Sequence, residues 1–280
     1  MKFAPHEKFS FQPFNLEEVH DKAKALLNSV KIKERDFKGA GAGYGEEEIS
    51  KDLCDVLRAK RPDKGFKQED KTGGLALVFE GIVYVGGQQG VFGRGTKVEK
   101  TSDFDDTRNG VDIIAEFPEK ENQGSCLGLA IDLTIFNQVS SKIDGILKKI
   151  NEGKLSTVKY HKKKDGRCGS EIPLVVVGLE GKTVERLAKL WHEDEEELSS
   201  DPVQLQIFEE ILLQLETYRK YADEHNQPGI AGQYEKYFNI VDNIYQTRLR
   251  VLHQPKIGSS SDRRTRDSYF HKLKSILDDL

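Results

Sequence analysis

Between Phe104 and Phe136 the chain reads FDDTRNGVDIIAEFPEKENQGSCLGLAIDLTIF, and two acids in this stretch, Asp112 and Asp132, fall at the edge of or inside apolar, β-branched runs. An ionised carboxylate is strongly disfavoured in a low-dielectric setting, so such groups are paired, hydrogen-bonded, exposed at a strand end or bound to a cation. Two carboxylates on adjacent strands suit an oxygen-preferring divalent cation, which can polarise a phosphate and lower the pKa of a bound water. The competing reading is that both acids sit at strand ends, exposed or paired with Arg94, Lys97 or Lys142. Asp105 and Asp106, followed by Arg108, Asn109 and Gly110, have turn chemistry, and Asp105 in particular is assigned to shaping the turn.

The elements that must position these acids can be read from apolar periodicity. Val111 to Phe117 and Leu127 to Phe136 are two strands, and the polar connection Pro118 to Ser125 makes a hairpin that sets Asp112 and Asp132 side by side. Residues 95 to 101, GTKVEKT, form a strand leading into them. Gly74 to Gly93 is ambiguous between a buried helix and a hairpin; its length favours a helix over Leu75 to Val85. On that helix Glu80 is a lone acid, either a core group satisfied by a basic or backbone partner or a third carboxylate near the strand pair. Downstream, a helix from Ser140 to Asn151 turns Ile143, Ile146, Leu147 and Ile150 inward and leaves Lys142 and Lys149 outside that stripe. A strand at Ser156 to His161, a second from Glu171 to Gly181 buried on both faces, and a helix from Thr183 to His192 complete a mixed α/β or α+β core.

The flanks are helical. Residues 1 to 14 read as an irregular arm, Asn15 as the cap of a first helix, and Glu46 to Arg61 as a second helix ending before Pro62. The glycines of GAGAGYG, Gly39 to Gly45, are a hinge or tight turn in preference to a phosphate cradle, because no convincing strand precedes them. Beyond the acidic run Glu193 to Leu198, one apolar stripe runs from Val203 to Tyr218 and another from Tyr234 to Leu249, whose aromatics fit helix packing better than base stacking. From Arg248 to Lys274 the segments RLR, RRTR and HKLK surround a Gly-Ser loop, a solvated surface element or a contact for phosphates. Three parts result: 1–73, an arm and helices; 74–192, the α/β core; and 193–280, a helical region.

With 280 residues, 32% of them charged and a formal net charge of -4, the composition is that of a globular protein and excludes wholesale nonspecific binding to nucleic acid. No apolar run approaches the ~20 residues of a membrane span, and the start lacks a signal-peptide core, so a cytoplasmic protein without a membrane partner is expected. Cys54, Cys126 and Cys168 are widely spaced, which implies free thiols and no structural zinc.

The order helix, strand, strand with Asp112, strand with Asp132, helix, strand resembles the core of the PD-(D/E)xK, or restriction-endonuclease-like, nuclease superfamily, over roughly residues 74 to 192. The resemblance implies a central mixed sheet flanked by helices and Mg²⁺ (or Mn²⁺) held by Asp112, Asp132 and the main-chain carbonyl of Leu133. Glu80 would be a further ligand, with Glu48 as a weaker candidate. It also implies phosphodiester hydrolysis in DNA or RNA. The family lysine is replaced here by Thr134, and Lys142 or Lys159 would take its role. The alternative is a protein on the same fold that has lost chemistry and binds nucleic acid or protein, for instance as a homodimer through its C-terminal helices.

Overall fold

The computed structural model describes residues 14–39, 43–59, 71–118, 126–135, 139–162, 168–252 and 266–280. In chain order it contains α1 (Leu16–Val30), a 3₁₀ turn (Glu34–Phe37), α2 (Glu46–Ala59), α3 (Lys71–Gln88), β1 (Lys97–Lys100) and a π-helical turn (Asp105–Asn109). Then come β2 (Ile113–Pro118), β3 (Cys126–Ile135), α4 (Val139–Asn151), β4 (Ser156–Lys162), β5 (Cys168–Ile172) and β6 (Leu174–Leu179). The chain closes with α5 (Gly181–Glu193), the short α6 (Glu195–Leu198), α7 (Val203–Glu224), α8 (Pro228–Leu252) and α9 (Ser268–Asp278).

The main sheet is mixed, in the order β1-β2-β3-β6, with β1, β2 and β3 antiparallel and β6 parallel to β3. The parallel pairing requires a crossover, which α4 and the β4–β5 ribbon supply. The connection expected to be a hairpin, 119–125, lies outside the described residues, as do most of the arm, the centre of the glycine run (40–42), 60–70 and the basic segment 253–265. The ambiguous segment is a helix. Glycine lets it pack closely: a Cβ at Gly87 would lie 2.6 Å from Val98 of β1, and one at Gly81 2.9 Å from the Trp191 ring of α5.

The expected strand from Glu171 to Gly181 is instead two strands in two sheets. Residues up to Ile172 pair with β4, and those from Leu174 pair with β3. Pro173 is the reason for the break: it has no N–H to give either ladder, while its carbonyl accepts from Ala130 N at 2.9 Å.

Burial ties the three sequence segments together. Val19 and Ala23 of α1, Phe79 of α3, the sheet, Trp191, Tyr218 and Leu277 belong to one hydrophobic cluster. Each fully buried large side chain contributes about 1.5–3 kcal/mol of transfer free energy, so the helical region packs as part of the core. In that packing α8 lays Tyr234, Tyr237 and Val241 inward, and the Tyr234 ring meets Tyr218 of α7 edge-on at 5.5 Å. The tyrosines thus serve helix packing within the chain. Side chains from α7 also complete the exposed edge of β6. Gln214 accepts from Val176 N at 2.8 Å and donates to Val176 O at 2.7 Å, and Glu210 accepts from Gly178 N at 3.0 Å. The ring of Tyr269 from α9 lies directly on Gly178, where a Cβ would sit 2.2 Å from the ring. No helix among the described residues is long and apolar enough to cross a membrane.

Candidate metal site

The site forms where β2 begins. Ile113 pairs with Ile131, and Asp112 N donates to Ile131 O at 3.0 Å, so the next step of the register sets Asp112 opposite Asp132. Leu133 N donates to Asp112 Oδ2 at 2.6 Å. The backbone atom of Leu133 seen to touch the acid pair is therefore its nitrogen, where the resemblance implied its carbonyl.

The turn that delivers Asp112 is unusual. Residues 105 to 109 make a π-helical turn, a form that recurs at functional sites, and Gly110 ends it in the left-handed region at φ 65°. Within that turn the two adjacent acids separate. Asp105 is fully buried and accepts from Ser102 Oγ, Asn109 Nδ2, Lys159 N and Tyr160 N at 2.6–2.9 Å, fastening β4 to the turn. Asp106 points the other way, to Lys100 Nζ at 2.7 Å.

Lys100 is the centre of the arrangement. Val98 and Lys100 share the face of β1 that meets α3, so this lysine projects inward, is 4% exposed and lies 2.5 Å from Glu80 Oε1. Carboxylate oxygens of Glu80, Asp106 and Asp112 all fall within 4.8 Å of one another. On the far side Lys142 of α4 reaches Asp132 Oδ1 at 2.6 Å. Asp106 and Lys142 are partly exposed and form the open side.

Four carboxylates face two ammonium groups in a buried setting, where burial raises the acids first and their mutual repulsion adds to it. Burial pushes the Asp112 carboxyl well up, Asp106 and Glu80 push it further, and Lys100 offsets only part. Burial raises Asp132 against the pull of Lys142, and raises Glu80 against that of Lys100. For Lys100 burial acts downwards, but the charges of Glu80, Asp106 and Asp112 outweigh it and hold the ammonium protonated. Asp112 and Asp132 face each other across the ladder, Asp112 taking the bond from Leu133 N and Asp132 the Lys142 ammonium. The buried Oε1 of Glu80 makes its close ion contact with Lys100 but no well-directed hydrogen bond.

The donor set fits a hard divalent cation, being all oxygen, clustered, and destabilised by its own excess charge. Asp112, Asp132, Glu80 and Lys142 are thus brought together, Lys142 being the salt-bridge partner that was the simpler reading of Asp132. Lys159 is not brought in. Its ammonium contacts Asp52 at 2.5 Å and Glu48 at 2.6 Å on α2, under the rings of Tyr44, Phe104 and Tyr160, so Glu48 and Lys159 satisfy each other. Of the other cations expected for the two acids, Lys97 contacts Glu99 at 2.6 Å. Two members were missed in the sequence, Lys100 and Asp106. The period of two in GTKVEKT carried the signal for the first, since Val98 facing inward obliges Lys100 to do the same.

Comparison of the chain with protein-family models, with curated proteins and with solved structures yields no match.

Proposed function

We propose that this chain is a Mg²⁺-dependent nuclease of restriction-endonuclease-like type that hydrolyses phosphodiester bonds in DNA or RNA. The observation that carries the reading is the convergence of Glu80, Asp106, Asp112 and Asp132 on one partly open sheet end together with Lys100 and Lys142. The order α3, β1, β2, β3, α4, β6 with its antiparallel, antiparallel and parallel pairings supports it.

A divalent cation bound here would neutralise charge on the phosphate and make a coordinated water acidic enough to attack. Glu80, Asp106 and Asp112 would hold it, with Asp132 opposite. With a cation bound, Asp112 and Asp132 would face it as carboxylates from β2 and β3. Lys142, on the rim, is placed to stabilise negative charge developing on phosphate oxygens, and Lys100 keeps the three acids of its side oriented. Thr134 occupies the position where the superfamily carries its lysine, and on this reading Lys100 and Lys142 supply the positive charge instead.

The test is cleavage of single- and double-stranded DNA and RNA with Mg²⁺ or Mn²⁺, comparing the chain with Asp132→Ala and Asp112→Asn. Loss on the order of 10³-fold in both variants is expected, since each removes several kcal/mol of charge stabilisation. Equal rates in chain and variants, or cutting in a chelator, would remove the assignment. Absence of cutting on every substrate would favour a binding protein on a nuclease fold.

A further inference from the structure

A second group of ligating atoms lies apart from the acid cluster. Glu116 lies further along the same strand, β2, that begins after Asp112, so the two acids are separated by roughly 13 Å of extended chain. Glu99 of β1 pairs with Ile114, which puts its side chain on the same face of the sheet as Glu116. From the β4–β5 ribbon His161 meets that face, with Nε2 2.9 Å from Glu116 Oε1 and 3.9 Å from Glu99 Oε2. His161 and Glu116 are only 4% and 8% exposed, and one ligand atom from each of the three residues lies within 4.8 Å of the others.

The imidazole is also held from behind. His161 Nδ1 lies 3.0 Å from Ser170 Oγ on β5. A cation bound here would replace the proton that His161 Nε2 gives to Glu116, with Nδ1 then donating to Ser170 Oγ and holding the ring in place. Lys97 engages Glu99 through Oε1 and leaves Oε2 as the oxygen nearer His161. One nitrogen and two carboxylate oxygens suit a first-row cation that accepts imidazole, zinc foremost, better than Mg²⁺.

We propose that Glu99, Glu116 and His161 form a second metal site, selective for a Zn²⁺-like cation, that staples the β4–β5 ribbon to the main sheet. The ligands come from β1, β2 and β4, and the two sheets have no ladder between them. Three protein ligands leave a further position for water, entered past the half-buried Glu99. The site contains no cysteine, which is why cysteine spacing led to an expectation of no structural zinc.

Zn²⁺ titration by calorimetry in millimolar Mg²⁺, which fills the oxygen-only site, tests the assignment. One Zn²⁺ per chain is expected, with a rise in Tm, and affinity about tenfold or more weaker in His161→Gln and Glu99→Gln but unchanged in Asp106→Asn. Glu99→Gln leaves the His161–Glu116 contact standing, so a loss of binding there is not a loss of fold. Absence of Zn²⁺ uptake by the unsubstituted chain, or equal affinity in both ligand variants, overturns the site.

Discussion

Two ionic clusters flank the π-helical turn, and they differ in how completely they are satisfied. Around Asp105 and Lys159 the acids also outnumber the bases, but directed donors hold the buried ones. Four donors surround the Asp105 carboxylate, and Lys159 lies between Asp52 and Glu48 with three aromatic rings about it. Around Lys100 and Lys142 the acids exceed the bases, and the carboxyls of Glu80, Asp112 and Asp132 are all pushed up. The neighbouring residues Asp105 and Asp106 belong one to each cluster. Buried carboxylates with a full set of donors are architecture; carboxyls pushed up by burial and by one another are the ones we propose a cation occupies.

Substitutions and pH can break or sharpen this contrast. The largest effect on stability is expected at Asp105: replacing it by Ala strands buried donors that cost ~1–3 kcal/mol each, so denaturant unfolding should show a loss of roughly 3–4 kcal/mol. By contrast Asp112→Asn should leave stability equal or higher while removing cleavage. A smaller loss at Asp105 than at Asp112 would invert the comparison.

The pH dependence comes next. Glu80, Asp112 and Asp132 hold protons in the folded state above the ordinary carboxyl range, whereas the unfolded chain releases them near pH ~4. The folded state therefore binds more protons, and stability contributed by these groups falls as pH rises through their raised values. On the proposed reading Mg²⁺ would take the place of those protons and flatten the fall above pH ~4. Glu210 of α7, also pushed well up by burial, has the same sign and accepts from Gly178 N of β6. Glu210→Gln should remove its share with or without Mg²⁺. A slope indifferent to Mg²⁺ would show that the acid excess is not a cation site.

The smallest effect on cleavage belongs to Lys159→Met. It strips the buried Asp52 of its cation while Tyr160 Oη still donates to it, so roughly 1–3 kcal/mol of stability should be lost and cleavage should not change. A strong loss of cleavage would return Lys159 to the site.

The parts legible in the sequence were those set by local pattern. Strand and helix periodicities located the elements carrying Asp112, Asp132, Glu80 and Lys142, and the strand pairing puts the first two face to face. Partners fixed by tertiary contact were not legible. Lys159 has a suitable position in the chain, but α2, more than 100 residues earlier, brings Asp52 to it. Asp105 and Asp106 have the same side chain in the same turn, and only the direction each takes from a π-helical backbone separates them. The division of Glu171 to Gly181 was available in Pro173, whose missing N–H outweighs an unbroken apolar run.

Gln214 has a consequence for how this protein can associate. Its amide offers β6 one acceptor and one donor at Val176, the same pair that another strand would offer. With Glu210 bonded to Gly178 N and the Tyr269 ring packed on Gly178, the side chains imitate a fifth strand and terminate the sheet there. Intermolecular strand addition, whether in a dimer or at the start of a fibril, is thereby closed off along β6, and among the main sheet's two margins β1 is left as the one through which backbones of two copies could join.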